Sequence, residues 1–151
     1  MRTSRAAAGF SLVEMLIVVV VIGLVTLFAF PRAGLILDRT AVGGARTTLV
    51  NQFSAARLAA RSSNRATVYR LSGNAVWVER RAFSGTVKQQ VGMRANLMAE
   101  YGTAVSGPDS IVVDPRGIAV LYSSGSSATY IVTRNTIRDS VIINSSGRVV
   151  R

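Results

Sequence analysis

From Phe10 to Phe30 the chain reads FSLVEMLIVVVVIGLVTLFAF, 21 residues with one charge, Glu14. At about 1.5 Å per helical residue, such a run matches the roughly 30 Å hydrocarbon core of a bilayer. It offers no polar face to water, which argues against a helix lining a soluble core. A cleaved secretory signal would need small residues after the apolar stretch. Here Ala6-Ala7-Ala8-Gly9 precede it, and Pro31-Arg32-Ala33-Gly34 follow. The segment is therefore expected to stay on the protein. Arginines flank both ends (Arg2 and Arg5 before it; Arg32, Arg39 and Arg46 after it), so charge alone does not orient it.

The rest of the composition must be read against that run. The 151 residues are 49% hydrophobic yet carry a formal charge of +11, so apolar and charged residues are segregated along the chain. The chain has no Cys and no His, which excludes Cys/His metal sites, disulfides and Cys–His or Ser–His catalysis. Seven acids and a single lysine, Lys88, leave few general bases, so no catalytic residue, metal or cofactor is expected. Asp109 and Asp114 lie near a turn, where carboxylates commonly cap backbone N–H groups.

Glu14 is the informative defect in the apolar run. A carboxylate within a spanning helix costs about 2.5–3.5 kcal/mol on insertion scales, so it needs a partner or a purpose. It lies four residues beyond Phe10, on the same helix face. A cut between Gly9 and Phe10 would create an amine able to neutralise it, in its own chain or a neighbour's. The run Gly9-Phe10-Ser11-Leu12-Val13-Glu14, followed by an unbroken apolar stretch, resembles the prepilin-peptidase site of type IV pilins and pseudopilins. The resemblance implies cleavage after Gly9, methylation of the Phe10 amine and a docking role for Glu14 in a growing filament. It also implies partners: prepilin peptidase, an inner-membrane assembly platform and other pilin subunits. The location implied is the bacterial inner membrane, single-pass with the head in the periplasm, and then the filament. Gly23 and Pro31 match positions where such pilins carry a helix-loosening glycine and proline. The expected parts are a leader (1–9), a membrane or filament helix (10–31), an amphipathic helix (32–65) and a β-rich head (66–151).

Pro31 lacks an N–H and Gly34, Gly43 and Gly44 weaken a helix, yet the 3.6-residue period resumes from Leu35 to Ser62. Leu35, Val42, Leu49, Phe53, Ala56 and Ala60 fall on one face. Beside them Arg32, Arg39, Arg46, Arg57, Arg61 and Arg65 form a stripe, and Asp38, the only acid on the stretch, leaves it without neutralisation in cis. A solvated face, acidic head groups or subunits, and nucleic acid all fit such a stripe.

After Asn64 the period becomes 2. Thr67–Leu71 and Ala75–Glu79 predict a hairpin around Ser72-Gly73-Asn74. Ile111–Val113 and Gly117–Tyr122 flank a turn at Asp114-Pro115-Arg116, Thr129–Thr133 and Ser140–Asn144 predict two more strands, and Ser145-Ser146-Gly147 predicts a last turn. The stretch Lys88–Glu100 fits either a loop or a short helix, and Ser123–Ser127 a flexible turn. The class expected is α+β: a long hydrophobic helix continuing into an amphipathic helix packed on a C-terminal antiparallel sheet. The Arg57–Arg65 helix, Trp77, Ile111–Gly117 and Ser145–Arg148 are similar to features of the GspH/FimT class of minor pilins and pseudopilins. That similarity implies a minor subunit of a type II secretion pseudopilus or type IV pilus, with DNA capture as the alternative. In some FimT-type subunits a Gly-Arg-x-Arg tail holds phosphates; here Gly147-Arg148-Val149-Val150-Arg151 is one residue longer, so Arg148 and Arg151 would point to opposite strand faces.

Overall fold

The structure, a computed structural model, describes residues 10–81, 88–121 and 126–150, without the side chains of 28–33 and 81. Gly9 and the rest of the expected leader, Arg151 and most of the Ser123–Ser127 turn lie outside the described residues. Contacts divide the chain into two compact units, Met1–Leu37 and Asp38–Arg151.

Helix α1 (Leu12–Ser63) passes through Gly23 and Pro31 without ending. A proline removes one helical donor, and the flanking turns hold the element together. Within the first unit the described apolar side chains, from Phe10 to Leu27, are all exposed, Val18 least at 43%. Among the described residues no helix is long and apolar enough to cross a membrane. The side chains described from Leu12 to Leu27 cover only about 24 Å at the helical rise, whereas the apolar sequence runs on to Phe30.

The second unit holds a core. On its part of α1, Val42, Ala45, Leu49, Phe53, Ala56 and Ala60 are buried, a three-four spacing that gives one continuous face. Leu35, expected on this face, is exposed and belongs to the first unit, while Ala45 takes a place the sequence pattern did not single out. Gly44 lets the Tyr101 ring approach the helix: a Cβ there would lie 2.7 Å from Tyr101 Cε1.

Two antiparallel sheets follow instead of the single sheet expected. The first has the order β3-β2-β1-β5-β6 and the second β4-β7-β8-β9. In the first, β1 (Thr67–Ser72) and β2 (Ala75–Arg81) form a hairpin closed by Gly73 and Asn74, both at positive φ (55° and 63°). This two-residue turn suits the right-handed strand twist. The remaining strands of that sheet are β3 (Lys88–Asn96), β5 (Ser110–Val113) and β6 (Ala119–Val120). The second sheet consists of β4 (Ala104–Ser106), β7 (Ser127–Arg134), β8 (Ile137–Asn144) and β9 (Val149–Val150).

Three expectations need correction. Lys88–Glu100 is neither loop nor helix throughout: its first part is the edge strand β3, and only Leu97–Tyr101 forms a helix, α2. β3 has almost no buried side chain to signal it, because its backbone ladder to β2 holds it in place. Asn96 starts α2 by accepting from the Ala99 amide, and Glu100 accepts from the Asn96 amide in return. Strands β7 and β8 also run to a two-residue turn at Asn135-Thr136, where a longer connection from Arg134 to Asp139 was expected. Finally, of the strand expected at Gly117–Tyr122, the described residues 117–121 form strand only at Ala119–Val120, and Tyr122 lies outside the described residues. The layers meet at three edge-to-face rings: Phe53 of α1 lies 5.8 Å from Tyr69 of β1, which lies 5.6 Å from Tyr130 of β7.

Candidate functional site

Phe10 is 72% exposed just before α1, and Glu14 is exposed in its first helical turn, where a carboxylate complements the helix dipole. These are the described residues of the expected processing and docking site.

The arginine stripe does not behave as one surface. Arg46 Nη1 lies 2.7 Å from Asp139 Oδ2 on β8, so this member is neutralised in cis by an acid 93 residues away. Asp38 accepts from Arg134 Nε and Asn135 Nδ2 on the β7–β8 hairpin, both at 2.8 Å. The Asn135 hydrogen bond, with the bond and charge of Arg134, holds Asp38 below the usual carboxylate range. Arg134 also donates to the Tyr101 carbonyl. Arg39 is exposed, and Arg65 sits half-buried just beyond the helix.

Arg57 and Arg61 have a distinct task. Arg57 Nε donates to the Gly117 carbonyl and Arg61 Nε to the Arg116 carbonyl, each at 3.1 Å. The turn they hold is built locally: Asp114 Oδ1 accepts from the Ile118 amide at 2.8 Å, and the Gly117 amide donates to the Asp114 carbonyl at 2.9 Å. Asp114 is thus a turn cap, as its position in sequence suggested. The Ser145–Gly147 turn stacks on this one. A Cβ on Gly147, at φ +72°, would lie 2.5 Å from the Gly117 carbonyl oxygen and 3.1 Å from Arg57 Nε. The Ala119 amide donates to the Ser145 carbonyl at 3.0 Å, joining the two sheets. The fold therefore gathers Arg57 and Arg61 of α1 with Arg116 and Arg148 of the two turns. Arg116 went unread in the sequence; the Pro-Arg-Gly turn marks it as presented, but nothing local reveals which helix it meets.

A second charged group covers the outer face of the first sheet. Glu79 accepts from Trp77 Nε1 (2.8 Å) and Arg70 Nε (2.7 Å), with Lys88 Nζ at 3.9 Å. Arg94 stacks on the Trp77 ring at 4.3 Å. Burial pushes Glu79 up, but the hydrogen bonds from Trp77 and Arg70 and the charges of Arg70 and Lys88 outweigh it and hold Glu79 below its ordinary range.

A family model described as the prokaryotic N-terminal methylation motif matches residues 4–30. No curated protein matches the chain at a significant level. Among solved structures, the type IV minor pilin FimU of Pseudomonas aeruginosa PAO1 is similar in two crystal forms. One aligns at TM-score 0.60 and 15% identity, covering 75% of this chain and 89% of FimU. The other aligns at TM-score 0.55 and 15% identity, covering 72% and 90%. At that identity the likeness speaks for the fold, and the motif speaks for the N-terminus. The chain thus resembles known proteins in two separate respects: residues 4–30 match a prokaryotic N-terminal methylation motif, and the α+β fold is similar to that of a type IV minor pilin.

Proposed function

We propose that the chain is a minor structural subunit, not an enzyme, of a type IV pilus or the related type II secretion pseudopilus. Prepilin peptidase cuts between Gly9 and Phe10 and methylates the Phe10 amine. Residues 10–31 then anchor the subunit in the inner membrane, head in the periplasm, until the assembly platform draws it into the filament. There Glu14 neutralises a neighbouring subunit's terminal amine inside the apolar bundle, and Gly23 and Pro31 let the helix loosen as subunits pack.

The observation that carries this reading is the methylation motif on residues 4–30, overlapping a helix whose described apolar side chains are exposed all round. Such a surface needs lipid or other helices to cover it. The GspH/FimT-like branch is supported by the Trp77 hairpin and by the stacked turns at Gly117 and Gly147. Of the arginines expected to hold DNA, Arg57 and Arg61 donate to turn carbonyls, so they serve the head's own structure first.

Processing and assembly can be read apart. Replacing Gly9 with valine should block removal of the nine-residue leader, seen as an unchanged mass. Glu14→Ala should leave cleavage intact but remove the subunit from sheared filaments. Normal incorporation of Glu14→Ala would contradict the docking role.

A further inference from the structure

The cationic cluster on the head has no carboxylate partner among the described residues. Residues 38–151 hold 15 basic and six acidic side chains. Five of those acids are already bonded within the chain: Asp38, Glu79, Glu100, Asp114 and Asp139. Among the described residues only Asp38, Glu79 and Asp139 pair with basic side chains, so a second copy would bring at most Glu100, Asp109 and Asp114 to face an equally basic head. Meanwhile Arg57, Arg61, Arg116 and Arg148 converge around the two stacked turns, with Arg116 and Arg148 exposed. The carbonyl bonds fix the Arg57 and Arg61 guanidinium groups while using one of five donors on each, so both forks are preorganised. Leu58, 70% exposed, stands between them, and Ser54, Arg57, Leu58 and Arg61 line a shallow depression there.

Building on the reading as a filament subunit, we infer that this cluster is a docking surface for a different, acidic protein subunit. The partner places carboxylates on the arginine forks and an apolar side chain against Leu58. An exposed apolar residue beside two of the cations suits a protein. A single nucleic-acid strand calls for aromatic platforms among the cations, and Trp77, the only tryptophan, lies on the opposite side of the first sheet, covered by Arg94.

The full-length processed chain in lipid nanodiscs is titrated with two fluorescent probes, a synthetic peptide alternating Glu and Leu and a single-stranded DNA oligonucleotide of equal charge. The variants are Arg116→Glu with Arg148→Glu, whose side chains hold no structural bond described above, and Leu58→Ser. The inference expects the peptide to bind in a salt-sensitive way, about tenfold weaker in the charge-reversed variant and about threefold weaker in Leu58→Ser. DNA binding should be weaker than peptide binding and indifferent to Leu58→Ser. DNA bound as tightly as the peptide, with Leu58→Ser without effect, would overturn it in favour of a nucleic-acid surface. Peptide binding unchanged by charge reversal would overturn it outright. In cells the charge-reversed variant should be cleaved normally yet enter filaments several-fold less. If even the parent chain never enters filaments, the subunit reading fails, while the peptide titration still reports on the surface.

Discussion

Helix α1 is one element with two opposite solutions for its apolar residues. From Leu12 to Leu27 they point in every direction and are exposed; from Val42 to Ala60 they keep to one stripe and are buried. The backbone is equally helical in both, so the difference lies wholly in side-chain pattern. A stripe can be satisfied by the chain's own sheets, whereas a run apolar all round has too much surface for one small head to cover. The first half is therefore written for partners outside the chain and the second for partners within it.

Substitutions in the two halves should separate these roles. Phe53→Ala, at the centre of the ring stack, should destabilise the head by about 3–5 kcal/mol, while Leu16→Ala should leave it unchanged. Chemical denaturation of the detergent-solubilised chain, followed by Trp77 fluorescence, measures both; a comparable loss in Leu16→Ala would erase the contrast. Gly147→Ala comes next, because its Cβ meets a carbonyl oxygen at a positive φ; a loss of about 2 kcal/mol or more is expected in the same assay. Asp139→Asn, which unpairs half-buried Arg46, should cost about 1 kcal/mol.

Acid should weaken the head in a defined direction. Asp38 and Glu79 titrate below their ordinary values when folded, so their contribution is complete above about pH 4.5 and disappears as pH falls through the folded pKa. Asp38→Asn should flatten that acid limb in a series of melting temperatures; an unchanged limb would remove Asp38 from the account. The smallest effect is expected at Tyr130, whose buried hydroxyl finds no protein partner among the described residues. Burial, then the charge of Asp109, raises its pKa. Tyr130→Phe should be neutral or slightly stabilising near neutrality. It should also extend stability above about pH 10, where an unfolded tyrosine would ionise first.

Much of this was legible because local chemistry and global fold agree. The stripe of Val42, Leu49, Phe53, Ala56 and Ala60 reads at a helical period, and Gly73-Asn74 announces its turn. What escaped reading depends on distant residues. The polar ends of β7 and β8 look like a loop, yet Arg134 and Asp139 extend those strands by pairing with Asp38 and Arg46 of α1. Strand β3 has no hydrophobic alternation because it is an edge held by backbone bonds. The stripe looked unpaired in cis because its carboxylate, Asp139, is supplied from β8. Glu14 stands out because it is an exception inside an otherwise uniform run, whereas Arg116 is one basic residue among many.

The sparing use of lysine has a practical side. Under the proposed processing, with the leader removed and the Phe10 amine methylated, Lys88 would carry the only primary amine in the subunit. Its side chain is 54% exposed at the start of an edge strand, held only loosely by Glu79. An amine-directed dye or crosslinker would therefore mark a single atom on each head, and a lysine-specific protease would have one bond to cut. Within a filament, labelling or cleavage at that position reports which side of the head its neighbours leave open.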